Sequence, residues 1–164
     1  MKIILIRQAE NGHVLTDARR SNAAAYRVYT DTGRAGRKTA EALFILPAPP
    51  VATPLLDDAP ETGAGFRGRQ KNRREAKRRA EMLLDLLEKE ERDSVVICGG
   101  QAMSALRGRL RARGYLLEGG GLLPRPLERV RATRRSLHCG GCAHNCLLSE
   151  AKCQKGQNRA KGIL

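Results

Sequence analysis

Two places in this chain carry residue types and spacings suited to chemistry. One is an arginine that ends an unbroken apolar run; the other is a set of four cysteines within fifteen residues. The run is Ile3-Ile4-Leu5-Ile6, bounded by Lys2 and Arg7. Such a run reads as a strand buried on both faces, as in a parallel sheet. Open α/β sheets receive ligands beyond the carboxyl ends of their strands, so Arg7 and Gln8 stand where an anion would be met. The cysteines are Cys139-x2-Cys142-x3-Cys146-x6-Cys153, and four thiolates can close one tetrahedral zinc site of the structural kind. Gly140 and Gly141 allow the tight turn between the first pair. A [4Fe–4S] cluster accepts the same donors. His138 and His144 are alternative ligands, read as bystanders. Reduced thiols, or two disulfides in an exported chain, are the competing readings of the tail. Cys98 stands apart in apolar company and reads as a small buried hydrophobe. A cysteine-phosphatase loop would need arginine six residues after it, where the chain has Ser104.

The elements that must position these residues can be read from periodicity. Ser94–Cys98 is a second buried strand, Val28–Thr30 a short β-prone run, and Tyr115–Leu117 a further strand; Leu127–Thr133 is expected as an edge strand. Asp31–Leu43 reads as a turn followed by a helix, and a short helix is expected around Ala18–Tyr26. Glu75–Arg92 carries Ala76, Ala80, Leu83, Leu84 and Leu87 on one apolar stripe. Its approach, Arg67–Arg79, holds eight basic residues, placed against the helix dipole, so packing rather than propensity must hold this helix. Gln101–Arg113 is a helix with Gly114 as its C-cap. Gly63–Gly68 reads as a joint. Strands alternating with helices give an α/β fold with a mostly parallel central sheet flanked by helices. The expected organisation is an α/β domain over 1–136 and a cysteine-rich tail over 137–164.

At 164 residues the chain is long enough for one real core, and with 3% aromatic residues and no tryptophan that core must be aliphatic. The longest uncharged stretch, Ala42–Leu56, contains four prolines and cannot be a spanning helix. Met1–Ile6 is too short for a signal peptide and is followed at once by charge, so a cytoplasmic location and no membrane association are expected. The formal net charge of +14 favours polyanionic or phosphorylated partners. Aromatic side chains are scattered singly, without the clusters on which bases stack, so nucleic acid is the less favoured partner.

In order along the chain, these segments resemble the histidine phosphatase (phosphoglycerate mutase-like) superfamily. Met1–Glu10 is similar to the strand that ends in Arg-His-Gly, with Arg7 at the phosphate-gripping arginine and Gln8 at the nucleophilic histidine. Tyr29–Leu43 is similar to the Ser-x-x-x-Arg-Ala-x-x-Thr-Ala-Glu segment. The resemblance makes Arg34 the second phosphate arginine, and one extra residue before Thr39 makes Arg37 the substitute. Leu55-Leu56-Asp57-Asp58 resembles the general-acid segment, with Asp58 in that role. Val95–Leu106 is similar to the strand-turn-helix of the second histidine, whose place is taken by Gly99. The interval from Asp58 to Gly99 is short for the family.

The family's mechanism needs an imidazole to attack phosphorus while arginines neutralise the equatorial oxygens. The lone pair of the Gln8 amide is delocalised, and Gly99 offers only a backbone N–H. What the resemblance leaves is an arginine pair suited to bidentate oxyanion contacts. It implies a truncated phosphoglycerate mutase-like sandwich that has lost catalysis. Such a chain would bind a phosphorylated small molecule or a phosphoprotein, with zinc or an iron–sulfur cluster in its tail. An active phosphomonoesterase using other residues, and a basic nucleic-acid binder with a zinc module, are the alternatives.

Overall fold

The computed structural model describes residues 1–9, 20–59, 66–121 and 125–134, together with 153–154 and 157–158. The strands are β1 (Lys2–Arg7), β2 (Ser21–Asn22), β3 (Arg27–Thr30), β4 (Phe44–Ile45), β5 (Val51–Ala52), β6 (Ser94–Cys98), β7 (Tyr115–Glu118) and β8 (Arg129–Arg134). The helices are α1 (Arg34–Leu43), α2 (Phe66–Glu90) and α3 (Gly100–Ala112), with a 3₁₀ turn at Pro54–Leu56. Six strands form one sheet in the order β5-β3-β6-β1-β8-β7, and β2 and β4 pair separately. The pairings of β5, β3, β6 and β1 are parallel, whereas β8 runs antiparallel to both β1 and β7. The protein is thus α/β, with a mostly parallel mixed sheet flanked by three helices.

The apolar strands are buried on both faces, as their unbroken runs require. Ile3 and Leu5 of β1, with Val96 and Cys98 of β6, join Leu83, Leu84, Leu87, Met103, Leu106 and Leu110 in one core under α2 and α3. The alternate residues Ile6, Val95 and Ile97 join Val28, Ala40, Leu43 and Phe44 in a second core on the α1 side. The period of two within each strand therefore feeds two layers of helices at once. Gly114 ends α3 with φ 79, the left-handed conformation expected of a glycine cap.

Three local expectations are corrected. Helix α2 starts at Phe66, so the basic approach, including part of the expected joint, lies inside it. Arginine, lysine and glutamine are good helix formers but supply no apolar stripe, so periodicity alone misses this half. No helix occupies the described part of the expected Ala18–Tyr26 helix: Ser21–Asn22 is strand and a turn follows. Strand β8 is not at the edge; it lies between β1 and β7, and β7 forms that edge.

The acidic half of α2 is matched by cations from other elements. Arg113, just past α3, reaches Glu81, Asp85 and Glu88 on α2. Arg109 pairs with Glu81 at 3.1 Å, and Arg134 of β8 with Glu88 at 3.3 Å. Packing plus this network holds α2 despite charges arranged against its dipole. No helix among the described residues is long and apolar enough to cross a membrane.

Candidate functional site

The carboxyl ends of β1, β3 and β6 deliver Arg7, Thr30 and Cys98 to the same edge of the sheet. The Gln8 N–H donates to the Cys98 carbonyl at 3.0 Å, which keeps the chain beside β6 for one residue beyond the strand. The Ala9 N–H then donates to Thr39 Oγ1 at 3.0 Å, and that hydroxyl donates to the Ala35 carbonyl at 2.8 Å. Thr39 thus pins the end of β1 to α1. A cavity of about 350 Å³ opens here, lined by Arg7, Gln8, Ala9, Ala35, Asp58, Gly99 and Gly100. Four of the five positions singled out by sequence, Arg7, Gln8, Asp58 and Gly99, meet in it although up to 92 residues separate them along the chain (99 − 7).

The fifth, Arg34, is the first residue of α1 and is exposed; its neighbour Ala35 lines the cavity instead. The substitute candidate, Arg37, pairs on the helix surface with Glu41 at 3.7 Å. Arg7 lies against the start of α3, where a Cβ added to Gly100 would be 3.6 Å from the guanidinium carbon. As the first residue of α3, Gly100 has an N–H without an intrahelical acceptor, and the helix dipole adds positive potential at that point.

Asp57 and Asp58, adjacent in sequence, hold different elements. Asp57 accepts from the Thr32 N–H and the Thr32 hydroxyl, both at 2.8 Å, and so fixes the turn before α1. Asp58 accepts from the Ala102 N–H at 2.9 Å and the Gln101 N–H at 3.4 Å, which makes it the N-terminal cap of α3 from another segment. A Cβ at Gly99 would lie 2.1 Å from Asp58 Oδ2. Glycine at 99 is what allows the carboxylate its place on the helix.

Sequence reasoning did not single out Asp31 or Thr39. Asp31, at the end of β3, is 8% exposed, and Asp31 Oδ1 and Gln8 Oε1 both lack a hydrogen-bond partner among the described residues. Burial, followed by repulsion from Asp57, pushes the Asp31 carboxyl up to about 6; Asp58 adds to the rise, and a hydrogen bond from Gln8 offsets part of it. A signal was present in the sequence: an acidic residue immediately after a buried β run must either pair or lose its charge.

This has a measurable consequence. Because the folded state holds the Asp31 proton more tightly than the unfolded chain, stability from this group is greatest at low pH. It falls as pH rises from about 4 to about 6, then levels off. Asp31→Asn should stabilise the protein by about 1–2 kcal/mol at neutral pH, by about half of that near pH 5, and by little at pH 4 and below. Melting curves of both proteins across that range give the difference directly. A gap independent of pH would place the proton elsewhere.

Cys98 is fully buried, and burial pushes its thiol well above the usual range, with Asp58 and Asp31 adding to the rise. It is a packing residue at the edge of the site. Cys139, Cys142 and Cys146 lie outside the described residues, as do His138 and His144, whereas Cys153 is described and exposed. Among the described residues no group of three or more metal-ligating side chains is assembled.

The fold and site together define an α/β protein with a small charged cavity at the carboxyl edge of a mostly parallel sheet. The chain matches no family model, no curated protein and no solved structure.

Proposed function

We propose that this protein is a non-catalytic member of the histidine phosphatase type that binds phosphate-bearing ligands at the Arg7 cavity. The observation that carries this reading is the Arg7 guanidinium beside Gly100 at the start of α3, inside a cavity bordered by Gln8 and Gly99. A guanidinium next to the Gly100 amide, at a helix start whose next two amides are taken by Asp58, suits bidentate donation to a phosphate oxyanion. Transfer of the phosphoryl group would need a nucleophile. The cavity lining offers the Gln8 amide, whose lone pair is delocalised, and nearby Cys98 is buried and held neutral. Asp58 would act as a cap and not as a general acid, because its carboxylate is engaged by α3 amides. The metal reading of the tail, zinc or an iron–sulfur cluster held by Cys139, Cys142, Cys146 and Cys153, is supported by their spacing.

Phosphate or tungstate should raise the melting temperature; an anion at one hundred times its dissociation constant contributes about 2.7 kcal/mol. Arg7→Ala should abolish the shift, and Arg34→Ala, on an exposed residue outside the lining, should reduce it only slightly. A phosphohistidine trapped on the native protein, or an Arg7→Ala protein stabilised as much as the native one, would overturn the reading.

A further inference from the structure

A more basic concavity adjoins the Arg7 cavity. Helices α2 and α3 leave between them a groove of about 700 Å³, within the range of roughly 300–1,000 Å³ typical of ligand clefts. One wall presents Arg69, Arg73 and Lys77, which fall at i, i+4 and i+8 on a single face of α2, about 6 Å apart per step. Asn72, Gln101 and Ser104 add hydrogen-bonding groups, and the described residues that line the groove include no carboxylate or aromatic side chain.

None of the three cations pairs with a carboxylate among the described residues, whereas Glu81, Asp85 and Glu88 farther along the same helix are taken by Arg109, Arg113 and Arg134. The sorting of charge along α2 therefore has two outcomes: an acidic half neutralised within the fold and a basic half facing a cleft. Gly100 lines both this groove and the Arg7 cavity, so the two concavities adjoin at the start of α3.

We infer that the groove is a polyphosphate subsite, holding the inner phosphates of a ligand that carries a chain of two or more, with the terminal phosphate at Arg7. This rests on the phosphate reading of the Arg7 cavity and names the class of ligand. The electrostatics favour a chain over a single phosphate. At Arg7 the anion meets one guanidinium but also the Asp58 carboxylate, which occupies two amides of the helix start. Three cations that pair with no carboxylate among the described residues line the adjoining groove. The described lining is basic and hydrogen-bonding, so contacts to the phosphates themselves carry recognition.

The test is calorimetric titration of the full chain with orthophosphate, pyrophosphate and tripolyphosphate at physiological salt. Tripolyphosphate should bind at least about tenfold more tightly than orthophosphate, the factor expected from one or two additional charge-assisted contacts. The triple variant Arg69→Ala, Arg73→Ala, Lys77→Ala should remove that advantage and leave orthophosphate binding nearly unchanged. The control triple variant Lys71→Ala, Arg74→Ala, Arg78→Ala removes equal charge from exposed residues outside the groove lining and should preserve the advantage. Equal affinity for all three anions, or equal losses in both triple variants, would overturn the groove while leaving the Arg7 reading standing. Groove-dependent tripolyphosphate binding without any orthophosphate binding would support the groove and overturn the Arg7 reading instead. A single-stranded oligonucleotide that binds more tightly than tripolyphosphate, with the same dependence on Arg69, Arg73 and Lys77, would replace the polyphosphate with nucleic acid.

Discussion

Gly99→Ala should destabilise the protein by about 1–3 kcal/mol, although it adds a single methyl group at an ordinary turn. The new Cβ would lie 2.1 Å from Asp58 Oδ2 and 2.6 Å from its Cγ, so the carboxylate must leave its place. Leaving it breaks the hydrogen bonds to the Ala102 and Gln101 amides, and loss of a cap alone typically costs about 1 kcal/mol. The diagnostic is a double-mutant cycle with urea unfolding. In an Asp58→Ala background, where the cap is already gone, Gly99→Ala should be nearly neutral. Full additivity would show that the close approach of Asp58 to Gly99 does not govern stability. The same contact bears on any attempt to restore the imidazoles that the family resemblance calls for. Gln8→His with Gly99→His forces a larger side chain into the space of Asp58, so the pair should yield no phosphomonoesterase activity unless Asp58 is also shortened.

Arg113→Ala should cost about 2–3 kcal/mol, more than most surface ion pairs are worth. The difference lies in geometry: one guanidinium, 22% exposed, serves Glu81 and Glu88, which are themselves only partly exposed. Asp85 is 69% exposed and contributes little by comparison. Removing Arg113 leaves Glu81, Asp85 and Glu88 at helical spacing with only Arg109 on Glu81 and Arg134 on Glu88 to offset their mutual repulsion. Arg113→Lys should recover only part of the loss, because an ammonium cannot reproduce the planar fork that serves several carboxylates at once. Chemical denaturation at low and high salt measures both parts, and a loss below about 0.5 kcal/mol would reduce the network to ordinary surface pairing.

The sequence by itself determined the elements whose signal is local. Ile3–Ile6 and Ser94–Cys98 are strands buried on both faces because every residue in each run is apolar or small. The stripe at Ala76, Ala80, Leu83, Leu84 and Leu87 made the second half of α2 unavoidable, and Gly114 marked the end of α3. Those elements were enough to specify an α/β fold and to put Arg7 at a carboxyl edge, where ligands of such sheets are received. The tertiary structure decided what no local pattern encodes. Strand β8 lies inside the sheet because β7 returns to pair beyond it, a choice made by long-range pairing and not by composition. Asp58 became a cap because α3 begins 42 positions later (100 − 58) and its amides arrive where the carboxylate sits. The basic half of α2 became one wall of a groove only when α3 packed beside it, since a helix carries charge on a face but acquires a cleft only from a neighbour.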